Sequence, residues 1–166
     1  MIRIARTLFS FVVVFSLSAV LEAQDSGLIG IDELENYIDL NTSLVELYEF
    51  IENGEEIPSD RYYLIPGTVT SISTLDPNPE TFYSEVEFSS ARWIGQEEIR
   101  SYDSLLVFLD PSFVSRLPQR SPRNPPENII EKNSRGMAVA EYYDILEMPD
   151  GSIIPVFIAH IFRNLE

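Results

Sequence analysis

Cysteine is absent from this sequence, and histidine, lysine and tryptophan occur once each, as His160, Lys132 and Trp93. Without a thiol there is no disulfide framework, no cysteine nucleophile, no thiolate zinc site and no iron–sulfur cluster. Anchoring through an acylated N-terminal cysteine is excluded for the same reason, and a single imidazole excludes a metal site built from several histidines of one chain. Positive charge is scarce as well: 11 Lys and Arg stand against 27 Asp and Glu, a formal charge of -16. The glycine patterns that cradle phosphates are missing, both Gly-x-Gly-x-x-Gly and the loop ending in Lys-Ser/Thr. No internal repeat and no low-complexity tract occurs.

What is present is 166 residues, 45% of them apolar. That is enough for one domain around one hydrophobic core, and too apolar for a chain kept unfolded by its charge. Met1 to Ala23 has the three-part form of a secretion signal. Arg3 and Arg6 come first, Leu8 to Val20 form an apolar run broken only by serines, and Ala23 supplies a small residue before a cut. The run is shorter than the about 20 residues that span hydrocarbon as a helix, so cleavage after Ala23 is expected. The expected localisation is extracytoplasmic, in a bacterial periplasm or secreted, with membrane contact only transient or through an uncleaved signal.

The remainder divides by charge and by period. Residues 24–60 hold eleven acidic side chains and no basic one. Within them Asp32 to Glu35 reads as a helix start, with Leu34, Tyr37 and Ile38 on one face. Ser43 to Glu46 reads as a second start, with Leu44, Leu47, Tyr48 and Ile51 at helical spacing and Gly54 as the stop. From Tyr62 the period falls to two. Tyr62 to Leu75 is a long strand with Pro66-Gly67 near its middle, Phe82 to Phe88 alternates, and Leu105 to Leu109 is apolar throughout, as in a strand covered on both faces. Arg92 to Gly95 reads as loop. Asp110-Pro111 opens a short helical turn that ends around Leu117, and four prolines between Arg116 and Pro126 leave an irregular connection. Met137 to Ile145 and Ile153 to Phe162 form a hairpin through Pro149-Asp150-Gly151-Ser152.

This order resembles the OB-fold, a small five-stranded Greek-key barrel with a helix between its third and fourth strands. The resemblance covers about Tyr62 to Arg163. It rests on the bend at Gly67, on Arg135 to Ala140 and on Ile154 to Phe162, and it implies architecture rather than activity. The expected fold is therefore mainly β with N-terminal helices. Another small β-sandwich or α+β topology is the alternative. The expected division is a signal peptide over 1–23, an acidic helical segment over 24–60 and an OB-like domain over 61–166.

Candidate chemistry is thin. Asp76, Asn78, Glu80 and Glu87 mimic the spacing of a calcium loop, but Thr81 stands where glycine must turn and Pro77 and Pro79 stiffen the ligand stretch, so a turn is expected instead. His160 lies in an apolar strand with no nucleophile motif nearby. Neither a cofactor nor a catalytic residue is assigned, and the residue inventory points away from an enzyme. Five of the nine basic residues beyond Ala23 fall between Arg116 and Arg135: Arg116, Arg120, Arg123, Lys132 and Arg135. These are candidate contacts to an anion or partner. Tyr62, Tyr63, Tyr83, Trp93, Tyr142 and Tyr143 are candidate aromatic contacts. The acidity disfavours nucleic acid as a partner. The expected function is thus a non-enzymatic, envelope-associated module binding an envelope protein or small ligand. The alternatives are a hydrolase of envelope polymers with paired carboxylates, or an assembly factor docking on anionic lipid.

Overall fold

The computed structural model describes residues 37–120, 122–148 and 150–165. The expected signal over 1–23 and the helix start at Asp32 lie outside these residues. Of the two expected helices, the described residues hold one. Ile38–Asp39 is a short strand, β1, parallel to Tyr62–Tyr63. Helical continuation past it is blocked by Asp39. Its carboxylate accepts the backbone N–H groups of Asn41 and Thr42, both at 2.9 Å, and the Thr42 hydroxyl at 2.8 Å, a side-chain turn that competes with helix.

The second start holds. Helix α1 is Leu44–Asn53, with Ser43 and Glu46 forming a reciprocal capping box and Gly54 closing it at φ 68°. Among the described residues its stripe packs on strands rather than on another helix. Leu44 and Leu47 enter the same buried cluster as the strands, and the Tyr48 hydroxyl donates to the Asp103 carbonyl at 2.6 Å. Burial, then the field of Asp103, pushes that hydroxyl's pKa up to about 12.

Five longer strands make the body: β2 (Tyr62–Asp76), β3 (Tyr83–Ile94), β4 (Glu98–Phe108), β5 (Arg135–Glu147) and β6 (Ile153–Leu165). The fold is mainly β and OB-like. The first half of β2 pairs antiparallel with β5, from Tyr62↔Glu141 to Thr68↔Arg135, and the second half with β3, from Thr68↔Ser89 to Asp76↔Tyr83. The changeover falls at Gly67-Thr68, at the expected bend. A Cβ on Gly67 would stand 2.8 Å from both the Phe88 ring and the Ser89 carbonyl, so only glycine lets the strands cross this closely. β4 pairs antiparallel with β3 and, over Leu105–Val107, parallel with β6. β6 pairs antiparallel with β5, which brings the sheet back to β2.

The connection between β4 and β5 also follows its sequence. Asp110 caps a 3-10 turn over Pro111–Phe113, its carboxylate accepting the Ser112 N–H at 2.7 Å. Asp76-Pro77-Asn78 forms the turn between β2 and β3, Asp76 accepting the Asn78 N–H at 2.9 Å and the Thr81 hydroxyl at 2.7 Å. Inside, Phe162 stands edge-on to Phe88 and Phe108 with centroids 5.8 and 6.1 Å apart, and Tyr63 edge-on to Phe157 at 6.2 Å. Gly136 gives Phe162 its place, since a Cβ there would run into the ring. Gly136→Ala is therefore expected to cost about 1–3 kcal/mol by overpacking, read as a lower urea midpoint at unchanged slope.

Candidate functional site

The sequence between Phe88 and Ser104 builds a hairpin that runs beyond the rest of the sheet. β2 leaves β3 at Ser89 and β6 meets β4 only from Leu105 onward. From Ser90 to Ile94 and from Glu98 to Ser104 the two strands pair with each other alone among the described residues. The Gly95-Gln96-Glu97 turn closes the hairpin, with Gly95 at φ 68°, a left-handed angle that suits glycine. The register puts Arg92 directly opposite Arg100 and Trp93 directly opposite Ile99.

Strand alternation assigns the faces of this arm. Val86 and Phe88 point into the core, so Arg92 and Arg100 continue that face beyond the core's end, while Trp93 and Ile99 occupy the opposite one. All four are exposed, Trp93 to 63%. Like charges facing each other across a strand pair repel, and among the described residues neither arginine makes an ion pair. The field of Arg92 reaches Glu46 at the start of α1. Its carboxylate is held below the usual range by Ser43's backbone N–H and hydroxyl, with a further contribution from the field of Arg92. The arm thus carries two exposed guanidinium groups on one face and an exposed indole on the other.

The residues singled out from the sequence are scattered. Arg116 is a structural staple: Nε donates to the Asn128 carbonyl and Nη2 to the Phe162 carbonyl, each at 2.9 Å, and the guanidinium lies 5.2 Å over the Phe113 ring. Burial lowers its pKa without discharging it. Arg120, Arg123 and Lys132 are exposed on the irregular connection, and Arg135 is exposed at the start of β5. Lys132 helps line a cavity of about 520 Å³ with Ser71, Thr74 and Gln119. Among the aromatics, Tyr63 must be struck out as a contact. It is 1% exposed, its hydroxyl donates to the Pro58 carbonyl at 2.7 Å, and burial pushes its pKa up to about 12. Tyr142 is half-buried against Phe157, centroids 6.0 Å apart. Tyr83 is half-buried, its hydroxyl donating to Glu85 Oε1 at 3.0 Å. Tyr62 stands edge-on to His160, centroids 5.2 Å apart, and His160 Nε2 lies 3.4 Å from Glu141 Oε1 on the sheet surface. Trp93 and Tyr143 are well exposed, on different hairpins.

No family model and no curated protein matches the chain. Among solved structures it is similar to a Plasmodium falciparum SSB in complex with ssDNA, at 13% identity and a TM-score of 0.45, over 67% of this chain and 99% of that one. It is also similar to Rim1, a mitochondrial single-stranded DNA binding protein from S. cerevisiae, at 12% identity and a TM-score of 0.37, over 63% of this chain and 94% of that one. At such identities the likeness is one of fold.

These neighbours nevertheless correct four expectations. The extracytoplasmic location is withdrawn, as is the envelope-associated binding module together with its hydrolase and lipid-docking alternatives. An envelope partner is withdrawn too, and so is the dismissal of nucleic acid, because the structures sharing this fold are described as single-stranded DNA binding proteins. The physical weakness of that dismissal was its use of net charge. Screening at about 0.15 M salt confines a surface charge's reach to roughly 8 Å, so what stands at the arm matters more than the sum over the chain.

Proposed function

We propose that this protein binds single-stranded nucleic acid at the β3–β4 arm. The observation that carries the reading is the cross-strand pair Arg92–Arg100, exposed and without an ion-pair partner among the described residues, with the exposed ring of Trp93 on the other face of the same arm. Phosphate between the two guanidiniums relieves their mutual repulsion with charge-assisted hydrogen bonds. A base laid on the indole adds stacking, worth about 1–3 kcal/mol per base. The two features sit on opposite faces of an arm only two strands wide, with no further strand paired to either edge among the described residues. A flexible single strand can pass round such an edge. Duplex DNA, with a persistence length of about 50 nm, cannot.

Trp93 is the only tryptophan, so its fluorescence reports directly on the arm. Titration with a twenty-nucleotide oligothymidylate is expected to quench it, and the same sequence in duplex form is expected not to. Arg92→Glu with Arg100→Glu should weaken binding at least tenfold. With about 0.7 of salt slope per phosphate on single strands, losing two contacts should make the slope of log K against log salt less negative by about 1.4. Absence of quenching, or equal affinity of the doubly reversed variant, would rule the reading out.

A further inference from the structure

Leu105 to Leu109 is expected to be covered on both faces; Leu106, Val107 and Phe108 are buried, Leu105 is half-buried and Leu109 is exposed. Leu106 and Phe108 face the core, as does Phe157 across on β6. Alternation turns Leu105 and Val107 to the opposite face, paired in register with Val156 and Ile158; Val107 is 6% and Val156 9% exposed, and Leu105 and Ile158 are half-buried. An outward sheet face of this kind is ordinarily polar; here four aliphatic side chains form the floor of a groove of about 430 Å³. Tyr143, 67% exposed, and Ile145, 45% exposed, wall it from β5.

The charges around the groove discriminate between occupants. Glu85 and Asp144 line it and, among the described residues, no basic side chain does. A nucleic acid strand would bring phosphate to carboxylate with no cation to receive it. A second copy of this chain would bring the same acidic rim, on a protein of formal charge -16, against this one. A segment with apolar side chains flanked by Lys or Arg meets both features at once: the apolar groups bury the floor, and the cations face Glu85 and Asp144. We propose that this groove docks a cationic, apolar peptide segment of a partner protein, separately from the arm.

The experiment uses the full chain and two fluorescein-labelled twelve-residue peptides of equal charge, one alternating leucine with arginine and the other alternating serine with arginine. Fluorescence anisotropy is expected to show the leucine peptide binding at least tenfold more tightly. The Tyr143→Ser/Ile145→Ser variant, altered only at exposed positions, should keep the parent's circular dichroism and bring the two affinities together. Glu85→Gln with Asp144→Asn should flatten the salt dependence of the leucine peptide while leaving it the better ligand. Equal affinities on the unaltered protein, or a leucine preference that survives Tyr143→Ser/Ile145→Ser, overturns the proposal. A dimer seen by sedimentation velocity and dissolved by that variant also overturns it, in favour of a second copy. Loss of oligothymidylate binding has no bearing on these outcomes, because none of the altered residues lies on the arm.

Discussion

Phe162→Ala is expected to lower the stability of the domain by about 3–5 kcal/mol, the range for removing a buried aromatic ring. The ring is 3% exposed and stands edge-on to both Phe88 and Phe108, so its loss removes the aromatic contacts it makes from β6 to the β3–β4 pair in the core. Against a typical total of about 5–15 kcal/mol for a domain, that is a large share. Phe162→Leu keeps most of the volume and should cost distinctly less. Gly136 supplies an internal check. The ring occupies the space a Cβ at Gly136 would need, so Gly136→Ala added to Phe162→Ala should cost less than the sum of the two single changes. Urea unfolding of the four proteins measures this. Strict additivity would mean that Gly136 is not a glycine on account of Phe162.

The legible parts of the fold were those in which local chemistry and tertiary packing agree. Ser43, Glu46 and Gly54 carry the signals that start and stop a helix, and α1 runs between them. Gly67 marked the bend, and the Asp150-Gly151 turn marked the last hairpin, in which Gly151 takes φ 84°. The illegible parts were those in which one side chain or one register overrides the periodicity. Ile38 fits a helical stripe, yet its neighbour Asp39 spends its carboxylate on the next turn, and Arg61 Nη1 lies 3.6 Å from that carboxylate, beside the strand that β1 joins.

The arm shows why the candidate site was the harder part. Glu98 to Ser101 is exposed on both faces, and a strand of that kind has no apolar period to announce it; only at Tyr102 does the buried alternation of β4 begin. Arg92 and Arg100 are eight residues apart with a turn between them, so nothing short of the β3–β4 register places them opposite each other. In the sequence the denser basic cluster runs from Arg116 to Arg135. Density was misleading there: Arg116 is committed to two backbone carbonyls, and the others are distributed along an irregular connection. Trp93 was singled out among the aromatics, and a lone tryptophan beside an arginine before a glycine turn was the one signal that could have pointed to the arm.

Leu47→Ala is expected to destabilise the strands as much as the helix, by about 2–5 kcal/mol. Charge and period together drew a boundary near Asp60, with acidic helices before it and the β domain after. The packing crosses that line. Leu47 is fully buried and Leu44 2% exposed in one cluster with Tyr63, Phe88 and Phe108, and Tyr48 reaches β4 through its hydroxyl and its ring, 5.3 Å from that of Tyr102. A helix of ten residues is too short to persist in water unsupported, so its stability is borrowed from the sheet it covers. Helix content by circular dichroism and arm fluorescence through Trp93 should therefore report coincident urea transitions, both shifted by Leu47→Ala. Glu49→Ala on the exposed face of α1 should move them by less than about 0.5 kcal/mol. A helix signal lost early in the Leu47 variant, with the Trp93 transition unmoved, would instead make the acidic segment an appendage and restore the boundary at Asp60.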